Sequence, residues 1–273
     1  MYPLRRVEPA EGCDDGRVNS RVLDGWRLAL GTLTVVDVTP PTRVDRRVAQ
    51  VAALLAPIAF VPVAAAVVVA GWTALAVGLA APISAVVMLS VQAWLTRAIH
   101  LDGLADTADG LGSGRPAAQA LEIMRRGDIG PMGVVTLVLT LGVQAVCLVE
   151  LAGRPWGPVL AATAFCTGRA ALATASRRGI PAARSDGLGA VFASCVSAPA
   201  AAALWLAGAA ALAAVSWLAG EDWWRGAVGV ALAAVVVVWL VGRAVTRLGG
   251  ITGDVLGAAI ELASTAILIG LAL

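Results

Sequence analysis

The chain has 273 residues, of which 59% are hydrophobic and only 14% charged, with a mean hydropathy of +0.84. A soluble domain carries nearer 25% charged residues, so a membrane protein is expected instead. The net charge of +2 gives no ground for a nucleic-acid partner; Cys13, Cys147, Cys166 and Cys195 form no C-x-x-C pair, and three of them fall in or beside apolar segments, so they read as small hydrophobes and not as a disulfide or zinc framework.

Residues 1–20 read as a mobile polar tail. Over residues 21–33, Val22, Leu23, Trp26, Leu30 and Leu33 recur at roughly helical spacing, with Arg21, Asp24 and Arg27 elsewhere on the wheel. That pattern predicts an interfacial amphipathic helix. Residues 1–47 are thus a cytoplasmic tail and interfacial segment, too polar and charged for a cleavable signal peptide.

Residues 48–273 are expected to form the transmembrane domain, to which any catalysis would belong. Their apolar runs approach or exceed the ~20 residues that cross a bilayer as a helix, without the alternation of a barrel. The expected fold is all-α, a polytopic integral membrane helical bundle of about seven transmembrane helices. They fall near 48–70, 72–96, 133–152, 157–175, 192–219, 226–247 and 254–273, with Pro57 and Pro62 kinking the first. Arginine sets the orientation, since all 20 basic residues are Arg. Arg43, Arg46, Arg47, Arg97, Arg115, Arg125, Arg126, Arg177, Arg178, Arg184 and Arg247 fall on one side, and only Arg154 and Arg225 in the opposite loops near Gly71, 153–157 and 220–225. This puts the N-terminus in the cytoplasm and, for an odd span count, the C-terminus outside.

The stretch from His100 to Gly114 holds Asp102, Asp106, Asp109 and the only histidine. On a helix, steps of four and three residues set the carboxylates within roughly 60° of arc, where like charges repel. A divalent cation reverses that repulsion. Mg²⁺ prefers oxygen ligands, commonly one or two carboxylates with substrate phosphates and waters. The cluster therefore predicts a Mg²⁺ site for a phosphate or diphosphate, against the plainer reading of a solvated, helix-capping loop.

Further along, Met124 to Gly133 offers Arg125 and Arg126 for phosphate oxygens and Asp128 as a fourth metal ligand. Gly127, Gly130 and Gly133 there would let backbone amides approach an anion. Arg169 reads either as a snorkelling side chain or as a phosphate or carboxylate partner. Arg184, before Gly187-Leu-Gly189, is either a substrate clamp or part of a re-entry turn. Asp254 and Glu261 share a helix face in the last span, and Glu261, deeper in hydrocarbon, needs a partner such as Arg243, Arg247 or the metal site. His100 reads as a general base or as a residue at a helix end. The acids Asp102, Asp106, Asp109, Asp128, Asp186 and Asp254 all fall on the cytoplasmic side, whereas a transporter places ionisable groups at mid-membrane.

These stretches, with Gly168-Arg169 and Gly249-Gly-Ile-Thr-Gly-Asp254, occur in the order seen in the cobalamin synthase family, which the chain resembles over residues ~97–261. The Asp-rich stretch carries the resemblance. Thr32 to Pro40 departs from the family pattern at Val35 and Asp37. The resemblance implies an adenosylcobinamide-GDP ribazoletransferase of the bacterial inner membrane. The 5′-hydroxyl of α-ribazole, or of its 5′-phosphate, would condense with adenosylcobinamide-GDP, releasing GMP with Mg²⁺ required. In that reading Asp102, Asp106 and Asp109 hold Mg²⁺, Asp128 or Asp254 completes the shell, and Arg125, Arg126, Arg169 and Arg184 stabilise the leaving GMP. Assembly into a homo-oligomer is left open.

The main rival is a CDP-alcohol phosphotransferase. Asp106-Thr-Ala-Asp109-Gly110 matches the opening of its motif, but Ser113-Gly114 stands where Ala-Arg belongs and the second half is missing. A membrane prenyltransferase would show two Asp-rich motifs, and a cobamide or solute transporter is disfavoured by the sidedness of the acids.

Overall fold

The computed structural model describes residues 14–273; residues 1–13 of the expected tail, Cys13 among them, lie outside it. Thirteen helices occur among the described residues: α1 (Asp14–Leu33), α2 (Arg46–Ala59), α3 (Val61–Ala76), α4 (Ala81–Leu95), α5 (Ile99–Gly112), α6 (Ala117–Ile123), α7 (Pro131–Ala152), α8 (Gly157–Gly168), α9 (Ala170–Ala175), α10 (Gly187–Phe192), α11 (Ala198–Leu218), α12 (Trp223–Leu248) and α13 (Gly253–Ala272). No named strand accompanies them in this region. Two isolated parallel bridges, Arg177 to Val196 and Ala182 to Ile251, tie loops together.

Five segments are long and apolar enough to cross a membrane: Arg46–Ala76, α7, α11, α12 and α13. A sixth appears if α4 and α5, bent by 89°, count as one span. The fold is therefore the expected helical membrane bundle. Length and apolarity alone do not reach the count of seven, and the physical reason is local. Residues 157–175 are divided into α8 and α9 at Arg169, leaving helices of 12 and 6 residues. Pro57 lies inside α2 and a proline also opens α3, with Phe60 between them, yet Arg46–Ala76 still counts as one span. Gly71, expected near a loop, sits inside α3 against Met88 and Pro158; the chain turns at Val77 to Ala80 instead.

Small side chains draw the helices together, as lipid-embedded packing requires. The buried face of α2 is Val48, Ala49, Ala52, Ala53, Ala56 and Ala59. Helix α13 is the central post, buried along almost its whole length and packed against α5, α7, α8, α9, α10 and α12. Contacts sort the loops into two ends. At one end Arg154 meets Glu221 and the Leu271 carbonyl, and Trp72 meets the Pro155 carbonyl. At the other, Arg125 meets Asp186, Arg184 meets the Leu121 carbonyl, and Arg46 meets the Ser194 carbonyl.

Helix α1 starts earlier than expected and packs along α2. Leu28, Ala29, Leu30 and Leu33 face inward while Val22 and Leu23 are exposed. Asp24 is buried, its carboxylate accepting from the Thr42 amide at 2.9 Å and hydroxyl at 2.6 Å. Those bonds, the hydroxyl's first, hold the Asp24 carboxyl below the usual carboxylate range.

Candidate active site

The site begins at the bend between α4 and α5. Arg97 and Ala98 have φ of 55° and 52°, a left-handed conformation that costs a non-glycine residue about 1–3 kcal/mol. The α1–α2 connection holds them there. The Val35 amide donates to the Leu95 carbonyl at 2.8 Å, and Arg97 donates to the carbonyls of Gly31 and Thr34 at 3.1 and 3.0 Å. The bend carries α5 across the start of α13.

Gly103 makes that crossing tight. A Cβ there would lie 2.8 Å from the Asp254 carbonyl oxygen and 2.9 Å from its Cα. Backbone contact at this point brings Asp102 and Asp106 together with Asp254. The charges acting on Asp106 are, in order, those of Asp102, Asp254 and Asp109, then that of Arg184. Asp102 is exposed, and Asp106, Asp254 and Arg184 are half-buried. Asp254 accepts from the Thr252 hydroxyl at 3.1 Å. Arg184 donates to the Leu121 carbonyl at 2.5 Å and its buried Nε has no partner.

Asp109 is already engaged. Its oxygens accept from the amides of Gly130 at 2.7 Å and Gly133 at 2.9 Å. Helix α7 opens with Gly130 at its N-cap and Pro131 next, and Gly130 has no side chain to serve as a cap, so a carboxylate from α5 takes that role. The glycines do let amides approach an anion, as expected, but the anion is the chain's own Asp109.

Beside Asp102 opens a largely apolar groove of about 680 Å³, lined by Gly31, Thr32, Arg97, Leu137 and Leu188 among others. Arg125 and Asp186 form an ion pair of 2.9 Å at the same end, 55% and 68% exposed. Arg126 pairs with Glu122 at 3.6 Å, and Asp128 stands exposed on the turn before α7.

Behind this face lies a second polar cluster, inside the bundle. Glu261 accepts from Gln92 at 3.2 Å and Gln144 at 3.1 Å, and His100 Nδ1 stands 3.9 Å from it. Arg169 is 0% exposed. It donates to the Phe165 carbonyl at 2.8 Å and to Ser264 at 3.4 Å, and its guanidinium lies 3.4 Å from the centre of the Phe60 ring. Its Nε and one terminal nitrogen have no hydrogen-bond partner, while its charge acts on Glu261 and His100.

Residues 25–272 match the family model described as Cobalamin-5-phosphate synthase. The chain belongs to that family. Among its relatives is an adenosylcobinamide-GDP ribazoletransferase of a Nocardioides species, 43% identical over 249 residues, covering 90% of this chain and 97% of the relative. A protein of the same name from Frankia casuarinae is 39% identical over 268 residues, covering 90% and 94%. One from Pseudomonas entomophila is 38% identical over 197 residues, covering 72% and 78%. No solved structure matches the chain. Family membership decides against the CDP-alcohol phosphotransferase, prenyltransferase and transporter readings.

The residues singled out in the sequence divide into three groups, with Asp109 apart from them on the Gly130 and Gly133 amides. Asp102, Asp106, Asp254 and Arg184 converge on the acidic face. Arg125, Arg126 and Asp128 lie exposed at the same end, engaged in surface pairs or free of close carboxylate neighbours. His100, Arg169 and Glu261 form the interior cluster, so Arg169 does not snorkel and Glu261 is met by neither Arg243 nor Arg247. Sequence reading missed Gln92, Gln144 and Arg97. An isolated Gln within an apolar span was the available signal for the first two.

No three His, Cys, Asp or Glu side chains are gathered to hold a metal ion among the described residues. Mg²⁺ asks for less, being commonly held by one or two carboxylates with phosphates and waters completing its shell. One or two of Asp102, Asp106 and Asp254 would hold it.

Proposed function

We propose that this chain is an adenosylcobinamide-GDP ribazoletransferase, joining α-ribazole or its 5′-phosphate to adenosylcobinamide-GDP with release of GMP. The observation that carries this reading is the acidic face of Asp102, Asp106 and Asp254 beside Arg184, opening on a groove in a chain of this family. Such carboxylates repel one another until a cation and a polyphosphate join them. Bound Mg²⁺ would supply neutralisation of the diphosphate charge.

The chain's own residues bind and orient. Arg184, with an unpartnered Nε, is the cation available to the leaving GMP phosphate. The groove beside Asp102 receives the apolar lower base and aims a ribose hydroxyl at the diphosphate. That hydroxyl is not the 5′ one, which is already esterified in the 5′-phosphate substrate. A bond forms from the ribose oxygen to the cobinamide-side phosphorus, the P–O–P bridge breaks, and GMP departs with the bridging oxygen. The hydroxyl proton leaves to solvent at the open mouth of the groove. Catalysis is then mostly positioning and charge stabilisation. The interior cluster holds α5 and α13 in register and touches no substrate.

In this reading the acidic end faces the cytoplasm, the N-terminus lies inside and the C-terminus outside, in the bacterial inner membrane. The test is GMP release by purified protein in detergent with Mg²⁺, adenosylcobinamide-GDP and α-ribazole. Release that requires both organic substrates is expected; none, beside an active relative assayed in parallel, refutes the reading.

A further inference from the structure

Arg46, Arg47 and Arg178 surround a cavity of about 510 Å³ completed by Gln50 and Cys195. No acid lines it. Asp45, next in sequence, is committed elsewhere: one oxygen accepts from the amides of Arg47 and Val48, both at 2.9 Å, and the other faces Arg21 at 3.8 Å. Arg46 donates to the Ser194 carbonyl. None of the three arginines makes an ion pair among the described residues.

Two unfavourable features coincide here. Three guanidinium groups share one cavity, and two of them occupy the first turn of α2, where the helix dipole disfavours cations. An anion in the cavity relieves both. Positive-inside bias alone asks only for arginines on one side, scattered as Arg43 and Arg115 are, and does not ask them to converge.

Depth indicates which anion. Arg46 and Arg47 are exposed and open the apolar Arg46–Ala76 segment, which at ~1.5 Å per residue is longer than the ~30 Å hydrocarbon core, so its charged first turn belongs on the headgroup side. Guanidinium pairs well with phosphate oxygens, and basic pockets between membrane helices take anionic headgroups. The cavity is also separate from the acidic face. The groove beside Asp102 and the arginine-lined cavity share no lining residue.

We propose that Arg46, Arg47 and Arg178 form a binding site for the phosphate of an anionic phospholipid headgroup. The site does not depend on the transferase activity.

Thermal unfolding of the full chain in neutral detergent tests it, with phosphatidylglycerol, phosphatidylcholine or soluble glycerol 3-phosphate added. Phosphatidylglycerol should raise Tm by roughly 3 °C or more, and phosphatidylcholine should not. Arg47→Gln and Arg178→Gln should lose the shift, Arg178→Lys should keep part of it, and the control Arg43→Gln should keep all of it. An equal response to phosphatidylcholine, or an undiminished shift in both glutamine variants, overturns the site. A shift with glycerol 3-phosphate and none with phosphatidylglycerol overturns the lipid assignment in favour of a soluble phosphate. Should the glutamine variants not fold, native mass spectrometry of the unaltered chain decides, since it must retain phosphatidylglycerol in preference to phosphatidylcholine.

Discussion

Two sets of charged groups ride on the same pair of helices and differ in how many partners they have. At the rim, Asp102, Asp106 and Asp254 face one another with Arg184 as the cation acting on Asp106 and Asp254. About two turns further along α13, Glu261 is held by Gln92 and Gln144, with His100 and Arg169 near it. His100 is only two residues from Asp102, and Glu261 seven from Asp254. A carboxylate inside the bundle must be satisfied by the protein, because no water is there to do it. One at the boundary can be left in want of a partner, and that unmet demand is what a metal and a diphosphate would satisfy. In the proposed reading the rim is left for ligand, and the interior holds the helices together.

The sharpest way to break this contrast is to exchange the expected effects. Asp106→Asn should lower turnover by about 10³-fold, as loss of a transition-state charge partner does. Its Tm should stay level or rise, since a like-charge repulsion is removed; a clear fall in Tm would make Asp106 structural. Glu261→Ala should do the reverse. Gln92 and Gln144 would be left without their buried acceptor, at a cost of about 1–3 kcal/mol, read as a lower Tm and poorer recovery from the membrane, with Glu261→Gln milder. If Glu261→Ala folds normally and is simply inactive, the interior cluster belongs to the chemistry.

Asp109 stands between the two sets and sharpens the line. As the cap of α7, Asp109→Ala should cost about 1 kcal/mol of stability, with hydrogen exchange rising at the Gly130 and Gly133 amides. Unchanged exchange there, with activity abolished, would move Asp109 to the ligand side. The smallest effect belongs to Arg125→Gln. Its exposed pair with Asp186 contributes about 0–1 kcal/mol, so Tm should barely move. A large fall in kcat/KM with Tm unmoved would bring Arg125 to the leaving GMP.

Much of the rim was legible before the fold was known. The spacing of Asp102 and Asp106 requires a shared helix face, and Gly130 and Gly133 mark a place where amides meet an anion. Neither reading could identify that anion, because Asp109 is 21 and 24 residues away from the two amides. The interior was nearly illegible. Gln92 and Gln144 reach Glu261 across 169 and 117 residues, and nothing local in an apolar run tells which buried acid a glutamine will meet.

What the sequence determined by itself is the membrane bundle, the gathering of acids at one end, and the family. The first two follow from properties that act locally, namely apolar run length, helical period and the one-sided placing of the arginines, and the third from the identity and order of the motif residues, the Asp-rich stretch above all. Only the tertiary structure decided which of those acids remain open to a ligand. That choice rests on the left-handed bend at Arg97 and Ala98 and on the backbone contact between Gly103 and Asp254. Both depend on segments distant in the chain, since a bend is held and a carboxylate is satisfied only by whatever the packing brings beside it.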